Sequence, residues 1–326
     1  MITIAFFNCK GGAGTTSVVY HLAYMFRQLG LSVVAVDCDP QADLTTMFLN
    51  EDRLEQLWSN GAQQFTIKGA IDSIGDLRPP HIESVAENIA LIAGDIQLAG
   101  IEEKLSKAWL QCMSGDEAAF RSVTAISSVA RNAGTNRQAD IVLLDIGPTL
   151  GSINRSALLG ADFVITPIAS DVSMLLGLRV LVQKLKQWRD EWAEIRTRHP
   201  NSSLPSGAMI PAGYVFGSYF SMRPGAAFNR ARIRSMLAKV PSEYQPADLN
   251  SQLTSFHQDD YCLATLWRYP TLMPRALESK KPMFHLTPAD GAIGSEIDAV
   301  KNCYQDFKRL AIRIAERTEL KLPYNR

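Results

Sequence analysis

Several features are scarce or missing in this sequence, and each absence removes a class of function. No apolar run reaches the roughly 18 residues that a transmembrane helix needs, and the chain opens as a strand rather than as a signal peptide. Basic and acidic residues balance at 33 each, so no global charge would attract nucleic acid or an anionic membrane. The five cysteines form no CxxC pair, and the histidines show no zinc spacing. These absences favour a reducing compartment, and we expect the protein in the cytoplasm.

What the sequence does contain is enough apolar material for a large core, in alternating strand and helix patterns. With 326 residues and 46% hydrophobic composition, the chain can form one extended α/β domain. The patterns predict strands at 2–8, 33–37, 89–93, 141–145, 163–167 and 214–216, and helices at 16–29, 97–110, 117–131, 175–198, 226–237 and 295–317. Residues 46–88 are interpreted as irregular. Repeated strand–helix units predict a doubly wound, mostly parallel sheet flanked by helices.

A glycine-rich segment follows the first predicted strand and has the composition of a phosphate-binding loop. Residues 8–17 read N-C-K-G-G-A-G-T-T-S, and the glycines allow the backbone to approach a polyphosphate closely. The helix that follows would point its free N–H groups at the anion. An ordinary P-loop has a lysine where this chain has Thr15. The candidate nucleotide-binding residues are Lys10, Gly11, Gly12, Ala13, Gly14, Thr15, Thr16 and Ser17.

Two further motifs place carboxylates at the ends of predicted strands. Residues 36–45 read VDCDPQADLT, with Asp37 and Asp39 after a β-branched run, and residues 139–148 read ADIVLLDIGP, with Asp145 after four apolar residues. The carboxyl ends of parallel strands are where ligands bind in open α/β sheets. Asp145 is therefore expected to hold the water shell of Mg²⁺, and the Thr16 hydroxyl is placed to reach the same ion.

The three motifs together resemble the deviant Walker A loop and the switch segments of the ParA/MinD family of ATPases. The family pattern is Lys-Gly-Gly-x-Gly-Lys-Thr-Thr/Ser, and only the second lysine is missing. The likeness is strong over residues 1–180, weaker at 91–98 and 274–284, and poor over 196–270. It implies a single P-loop ATPase domain over 1–326, with a divergent region at 196–270 and a C-terminal helix at 295–317.

The resemblance also implies cofactors and roles for individual residues. ATP and Mg²⁺ would be bound, and Lys10 would reach across a homodimer to the partner's nucleotide. Asp39 would polarise the attacking water, and Asp37 would support Mg²⁺ through water. Lys10 and Asp39 are thus the candidate catalytic residues, and Thr16, Asp37 and Asp145 the candidate metal-site residues. Thr15 cannot bridge the β- and γ-phosphates as a lysine would, so we expect weaker binding and weak ATP hydrolysis, if any.

Two functions from different classes remain open. The first is a partition-type ATPase that dimerises on ATP, binds DNA or another surface, and is reset by an activator; the full Asp-x-Asp-Pro-Gln stretch favours it. The second is a non-hydrolysing, nucleotide-bound scaffold or regulator of a secretion, polysaccharide, pilus or defence assembly; Thr15 favours it. The activator or cargo protein is not identified by the sequence. Association with the nucleoid is left open, and an N-terminal helix-turn-helix for operator binding is not expected before Lys10.

The surface patterns give weaker indications. Arg309, Arg313 and Arg317 recur every four residues on the last predicted helix, and Arg230 and Arg234 do so on another. Such faces could track DNA phosphates, or they could be solvated faces with ion pairs. The apolar stripe of the last helix has the spacing of ordinary core packing, so membrane binding is not expected. The two cysteines beside the motifs, at positions 9 and 38, are interpreted as small buried fillers rather than as a redox switch.

Overall fold

The computed structural model describes residues 1–59, 65–72, 79–169, 172–200, 204–218 and 260–323. Eight strands form one sheet in the order β3-β4-β2-β5-β1-β6-β7-β8, and only the β3–β4 pair is antiparallel. The strands are β1 (Ile2–Phe6), β2 (Val33–Asp37), β3 (Glu83–Ala86), β4 (Ile89–Ile92), β5 (Ile141–Asp145), β6 (Phe163–Ala169), β7 (Ile210–Ser218) and β8 (Cys262–Trp267). The predicted fold class, a doubly wound and mostly parallel α/β sheet, is confirmed.

Helices cover both faces of this sheet. They are α1 (Thr15–Gln28), α2 (Asp43–Phe48), α3 (Glu51–Trp58), α4 (Ile67–Asp72), α5 (Glu102–Cys112), α6 (Glu117–Val123), α7 (Ala125–Asn136), α8 (Ser152–Leu158), α9 (Val172–Arg198), α10 (Leu272–Ser279) and α11 (Ser295–Thr318). Strands β2 and β5 are buried at every position because helices lie above and below them. One core contains apolar residues of α1, α2, α10 and α11, and the opposite core contains residues of α4 to α9.

The prediction that residues 46–88 are irregular was wrong. Helices α2, α3 and α4 and strand β3 lie within or across this stretch. Helix α3 begins where the Asn50 side chain accepts a hydrogen bond from the Arg53 N–H, which is an ordinary N-cap. Leu54, Leu57 and Trp58 of α3 recur at helical spacing, but only Leu57 is fully buried and the helix is eight residues long, too short for its periodicity to stand out in a polar stretch.

Two other predicted helices are interrupted in the structure. The segment predicted as 97–110 opens with a 3₁₀ turn at Ile96–Ile101, and α5 begins only at Glu102. The segment predicted as 117–131 is divided into α6 and α7 at Thr124. Hydrophobic spacing continues across both breaks, which is why the pattern suggested unbroken helices.

The poorly matching region 196–270 contributes two parallel strands to the sheet. Strand β7 extends over nine residues where only 214–216 was predicted, and β8 was not predicted. The predicted helix 226–237, with Arg230 and Arg234, lies outside the described residues. Strand β8 pairs with β7 and contacts α11, so this part of the chain belongs to the same sheet as the phosphate loop.

The last helix packs against the core, as its stripe predicted. Phe307, Leu310 and Ile314 of α11 are buried in the same core as α1. The three arginines that recur every four residues on α11 all have partners within the chain. Arg309 forms an ion pair with Asp306, and Arg313 forms one with Glu316. The Arg317 guanidinium donates to the carbonyl oxygen of Asp260. These contacts support the interpretation as a solvated face with ion pairs. Over the described residues, every helix is too short or too polar to span a bilayer.

Candidate functional site

The glycine-rich loop connects β1 to α1 and forms one wall of an open cleft. Gly12 and Gly14 have φ angles of 80° and 77°, a left-handed conformation that glycine adopts without steric cost. Helix α1 begins directly after Gly14, and the Val18 N–H donates to the Gly14 carbonyl oxygen. The cleft has a volume of about 450 Å³, and all the predicted nucleotide-binding residues from Lys10 to Ser17 line it.

Asn8 holds this loop in place, a role that sequence reasoning did not assign. Its side-chain amide donates to the Pro167 carbonyl oxygen on β6 at 2.6 Å, and its side-chain oxygen accepts from the Lys10 N–H at 3.1 Å. Asn8 is almost fully buried, so both bonds are shielded from water. The only signal in the sequence was a polar residue at the end of an apolar strand.

Asp145 occupies the end of β5 directly beneath the loop. It is in register with Phe6 of β1 on one side and Asp37 of β2 on the other. The side chain is 1% exposed, and its Oδ2 atom has no hydrogen-bond partner. The Thr16 side chain hydrogen-bonds to this carboxyl group, while burial and the neighbouring Asp37 raise its pKa well above the usual range. An orphaned, buried carboxylate oxygen of this kind is suited to a positively charged ligand.

Asp37 is also buried, but its oxygens are already bonded within the protein. Oδ2 accepts from the N–H of Thr45 at 2.8 Å and from its hydroxyl at 2.6 Å, and Oδ1 accepts from the Asp39 N–H. Burial raises the pKa of Asp37 to about 7 despite these bonds. In this structure Asp37 therefore shapes the Asp-Pro-Gln segment, and its role at the metal stays a prediction.

Gly94, at the end of β4, allows the chain to pass close to Asp37. Its N–H donates to the Thr45 hydroxyl oxygen at 2.7 Å, which in turn donates to Asp37. A Cβ atom at position 94 would lie 2.8 Å from the Asp37 carboxyl carbon and 3.0 Å from the Ala42 Cβ. The first distance is shorter than real Cβ contacts and the second is unusually tight, so any residue larger than glycine would push Asp37 or Ala42 out of place.

We predict that Gly94→Ala destabilises the protein by about 1–3 kcal/mol, the usual cost of overpacking a buried site. In urea unfolding, we expect the variant to reach half-unfolding at a lower urea concentration, while the dependence of the unfolding free energy on urea stays unchanged. Gly100→Ala is a matched control, because no atom lies within 4 Å of a Cβ built at that position. Equal midpoints for the two variants would contradict the close-packing argument.

Asp39 lies at the mouth of the cleft, against the loop that follows β5. Its Oδ1 atom accepts from the Gln41 N–H at 3.0 Å, and partial burial raises its pKa. A Cβ atom at Gly147 would lie 2.9 Å from the Asp39 carboxyl carbon. The absence of a side chain at Gly147 thus leaves room for Asp39. The structure places Asp39, Thr16 and the loop around one cleft.

The two cysteines near the motifs are fillers in this structure. Cys9 is half-buried, and its thiol donates to the Gly177 carbonyl oxygen on α9. Cys38 is fully buried between the strand-end carboxylates, and burial raises the pKa of both thiols. A raised pKa keeps a thiol protonated and unreactive, which agrees with the interpretation from the sequence.

A second, more apolar cavity of about 480 Å³ adjoins the cleft. It shares Gly14 and Ser17 with the phosphate loop and Met273 and Leu277 with the wall contributed by α10. Strand β8 contributes Trp267, which is 56% exposed. Sequence reasoning missed this cavity, because its lining joins the phosphate loop to residues of β8 and α10 that are distant from it in sequence.

The residues present fit a magnesium ion that is held mainly by water and phosphate. Among the described residues, no group of three or more His, Cys, Asp or Glu side chains could hold a metal ion by itself. Mg²⁺ usually keeps several waters and takes one or two protein ligands beside substrate phosphates. The orphaned oxygen of Asp145 and the hydroxyl of Thr16 provide such ligands.

A left-handed glycine loop between a buried strand and a helix, with an aspartate ending the neighbouring strand, defines a P-loop nucleotide-binding fold. A protein-family model described as an AAA domain matches residues 1–197, which is more than half of the chain. The chain is 28% identical over 198 residues to Protein IncC of Escherichia coli, covering 60% of this chain and 49% of that protein. It therefore belongs to the matched family and, within it, to the ParA/MinD group of P-loop ATPases.

Two further proteins extend this comparison. The chromosome-partitioning ATPase Soj of Thermus thermophilus is 26% identical over 186 residues, which are 57% of this chain and 62% of that protein. The structure of the septum site-determining protein MinD of Pyrococcus horikoshii, complexed with Mg-ADP, superposes with a TM-score of 0.57 at 16% identity, covering 97% of each chain. The match to IncC spans about half of that relative's length.

Proposed function

We propose that this protein is a ParA-like, ATP-binding switch that forms a homodimer when nucleotide and Mg²⁺ are bound. The observation that carries the proposal is the orphaned Oδ2 atom of Asp145, buried beside Thr16 under a glycine-rich loop. A buried carboxylate without a partner is costly, and a cation held there would remove that cost. The cleft above it has room for a polyphosphate.

Each residue around the cleft has a role in this proposal. Backbone N–H groups of residues 11–15 bind the phosphates at the positive end of α1. Thr16 and Asp145 hold the ion, which when bound supplies positive charge to the phosphate oxygens. Asp39 orients water at the mouth of the cleft. The apolar cavity beside Ser17 and Met273 takes the base of the nucleotide.

The simplest test is direct binding of fluorescent ATP to the purified chain, with and without Mg²⁺. We expect saturable binding that weakens when the ion is removed. No saturation at millimolar nucleotide would refute the proposal.

In this proposal, Lys10 is the residue that makes dimer formation depend on nucleotide. It lines the cleft at the start of the loop, where its backbone is fixed by Asn8. In a dimer that places two nucleotides between the subunits, the Lys10 ammonium group would bind the phosphates of the partner's nucleotide through charge-assisted hydrogen bonds.

We predict that ATP doubles the molar mass of the wild-type protein in light scattering and leaves Lys10→Ala monomeric. Binding of fluorescent ATP to the monomer should change little, because the glycine loop is intact. Lys104→Ala, at an exposed position on α5, is the matched control and should dimerise normally. Dimerisation of Lys10→Ala at wild-type ATP concentrations would remove this role.

The cellular role is proposed from the family and from Thr15. Partition of DNA or positioning of a cellular cargo follows from the relationship to proteins such as the chromosome-partitioning ATPase Soj. The alternative, a non-hydrolysing scaffold or regulator, is favoured by Thr15, because one positive charge is missing beside the γ-phosphate. An assay of ATP turnover with and without DNA distinguishes the two: DNA-dependent or partner-dependent turnover supports the first, and its absence the second.

A further inference from the structure

Helix α8 follows the loop that carries Gly147, and it has no capping side chain of its own. Its N-cap residue is Gly151, and its first turn contains no acidic residue. The missing cap comes from a distant part of the sequence: the Glu102 carboxylate accepts from the N–H groups of Ser152 and Ile153, the latter at 3.0 Å. Gly151 permits this approach, since a Cβ there would lie 2.7 Å from the Glu102 Oε1 atom.

From α8, hydrogen bonds continue towards the nucleotide cleft. Asn154 is 1% exposed, and its amide donates to the carbonyl oxygens of Gly147, at 2.6 Å, and Thr149. The loop is therefore tied to the first turn of α8. Its Gly147 is in close contact with the Asp39 carboxylate. A shift of α8 along its axis would change the space available to Asp39.

The middle of α8 is anchored to α5, and through α5 to α9. The Arg155 guanidinium lies 3.9 Å from the ring centre of Trp109 on α5, a cation–π contact. The Trp109 indole N–H donates to Glu191 on α9 at 3.1 Å. Attraction to Glu191 and Glu102 partly offsets the burial that lowers the pKa of Arg155. Glu102 thus lies in a charged cluster that joins α5, α8 and α9.

We infer that Glu102 is a positioning residue for the nucleotide site: by capping α8 it holds the loop 147–149 against Asp39. The inference rests on the proposed function, since it assigns Glu102 to the same site. A purely structural cap would affect only stability and local hydrogen exchange. A positioning residue must also change the rate of the chemical step, while nucleotide affinity stays nearly constant because the glycine loop is not touched.

The test uses Glu102→Gln in the full chain, with Glu103→Gln as matched control. Glu103 is the next residue of α5, is exposed, and pairs only at the surface with Lys107. The glutamine amide keeps the size of the side chain, but its NH₂ group replaces one of the two oxygens that accept from Ser152 and Ile153, so a donor then faces a donor. Hydrogen exchange of residues 147–154 should accelerate about tenfold or more in Glu102→Gln and not in Glu103→Gln.

Two functional measurements accompany the exchange experiment. Single-turnover hydrolysis of labelled ATP by excess protein should slow at least about threefold in Glu102→Gln, while the dissociation constant of fluorescent ATP changes less than about twofold. A Glu102→Gln/Asn154→Ala double variant should lose no more than the larger single effect, because both residues act on one loop.

The outcomes separate this inference from the proposed function. If neither protein binds ATP, the proposed function fails, and exchange at residues 147–154 alone decides whether Glu102 holds the loop. Wild-type exchange rates at these residues in Glu102→Gln would overturn the inference. If Glu102→Gln does not fold, Glu102→Asp, whose shorter side chain cannot reach both N–H groups, is measured in its place with the same expected results.

Discussion

Replacing Asp145 by asparagine is expected to make the nucleotide-free protein more stable and to abolish its Mg²⁺-dependent nucleotide binding. Asp145 is buried beside Asp37, and one of its oxygens has no partner. An amide cannot ionise, so it removes the buried charge and with it the repulsion from the neighbouring Asp37 carboxylate. We expect the free energy of unfolding at neutral pH to rise by about 1–3 kcal/mol, the usual penalty of an unsatisfied buried polar group. Urea unfolding and ATP titration with Mg²⁺ measure the two effects.

The difference in unfolding free energy between Asp145→Asn and the wild-type protein should change with pH in a definite direction. The pKa of Asp145 is raised in the folded state, so above that pKa the fold carries a charge that it disfavours. As the pH falls through the raised pKa, the wild-type carboxyl group takes up a proton and the penalty shrinks. The advantage of Asp145→Asn should therefore be largest at high pH and diminish on acidification. Asp190→Asn, at an exposed position in the middle of α9, should shift stability by less than about 0.5 kcal/mol at any pH. A less stable Asp145→Asn would show that the carboxylate is satisfied without a cation.

Replacing Thr15 by lysine is expected to tighten ATP binding about tenfold to a hundredfold. Thr15 is the first residue of α1 and lines the phosphate cleft, so a longer side chain there can extend along the bound phosphates. A hydrogen bond to a charged group contributes about 1.5–3 kcal/mol, which corresponds to one to two decades in the dissociation constant. Titration of fluorescent ATP measures this change.

Turnover should also rise in Thr15→Lys, because positive charge beside the γ-phosphate stabilises the transition state. Thr15→Met is the matched control, since it adds length without charge and should improve neither affinity nor rate. If Thr15→Lys and Thr15→Met behave alike, the missing charge is not what weakens this site. Wild-type turnover at the roughly 1–10³ s⁻¹ common among enzymes would mean that another cation already replaces the lysine.

The variants at Asp145 and at Thr15 test two different charges in one cleft: a negative charge that the protein buries and a positive charge that it lacks. Asp145 places a disfavoured charge inside the fold that a bound cation would offset, whereas Thr15 leaves the bound phosphates without the charge of a lysine. We therefore expect the affinity of this site for nucleotide to depend strongly on Mg²⁺. That dependence suits a protein in which bound nucleotide acts mainly as a conformational and dimer switch.

The sequence by itself determined the central strands of the sheet and the location of the cleft. Strands such as β1, β2 and β5 are continuous apolar runs that end in polar residues, and such runs are recognisable because strands buried on both faces tolerate little else. The glycine spacing at 11–14 is equally local, because it reflects the backbone conformation of a few consecutive residues. For the same reason the absent lysine at Thr15 was visible without a structure.

Only the tertiary structure decided which distant residues complete the site. Asn8, Gly94, Met273 and Glu102 act through partners that lie far from them in sequence, such as Pro167 for Asn8 and Ser152 for Glu102. No periodicity marks such pairs, because their spacing depends on how whole elements pack. Helix α3 was missed for a different reason: its apolar residues recur at helical spacing, but over only eight residues, which is shorter than the window in which periodicity separates a helix from a loop. Local conformation can therefore be predicted from a few neighbouring residues, whereas contacts between distant elements become visible only in the folded structure.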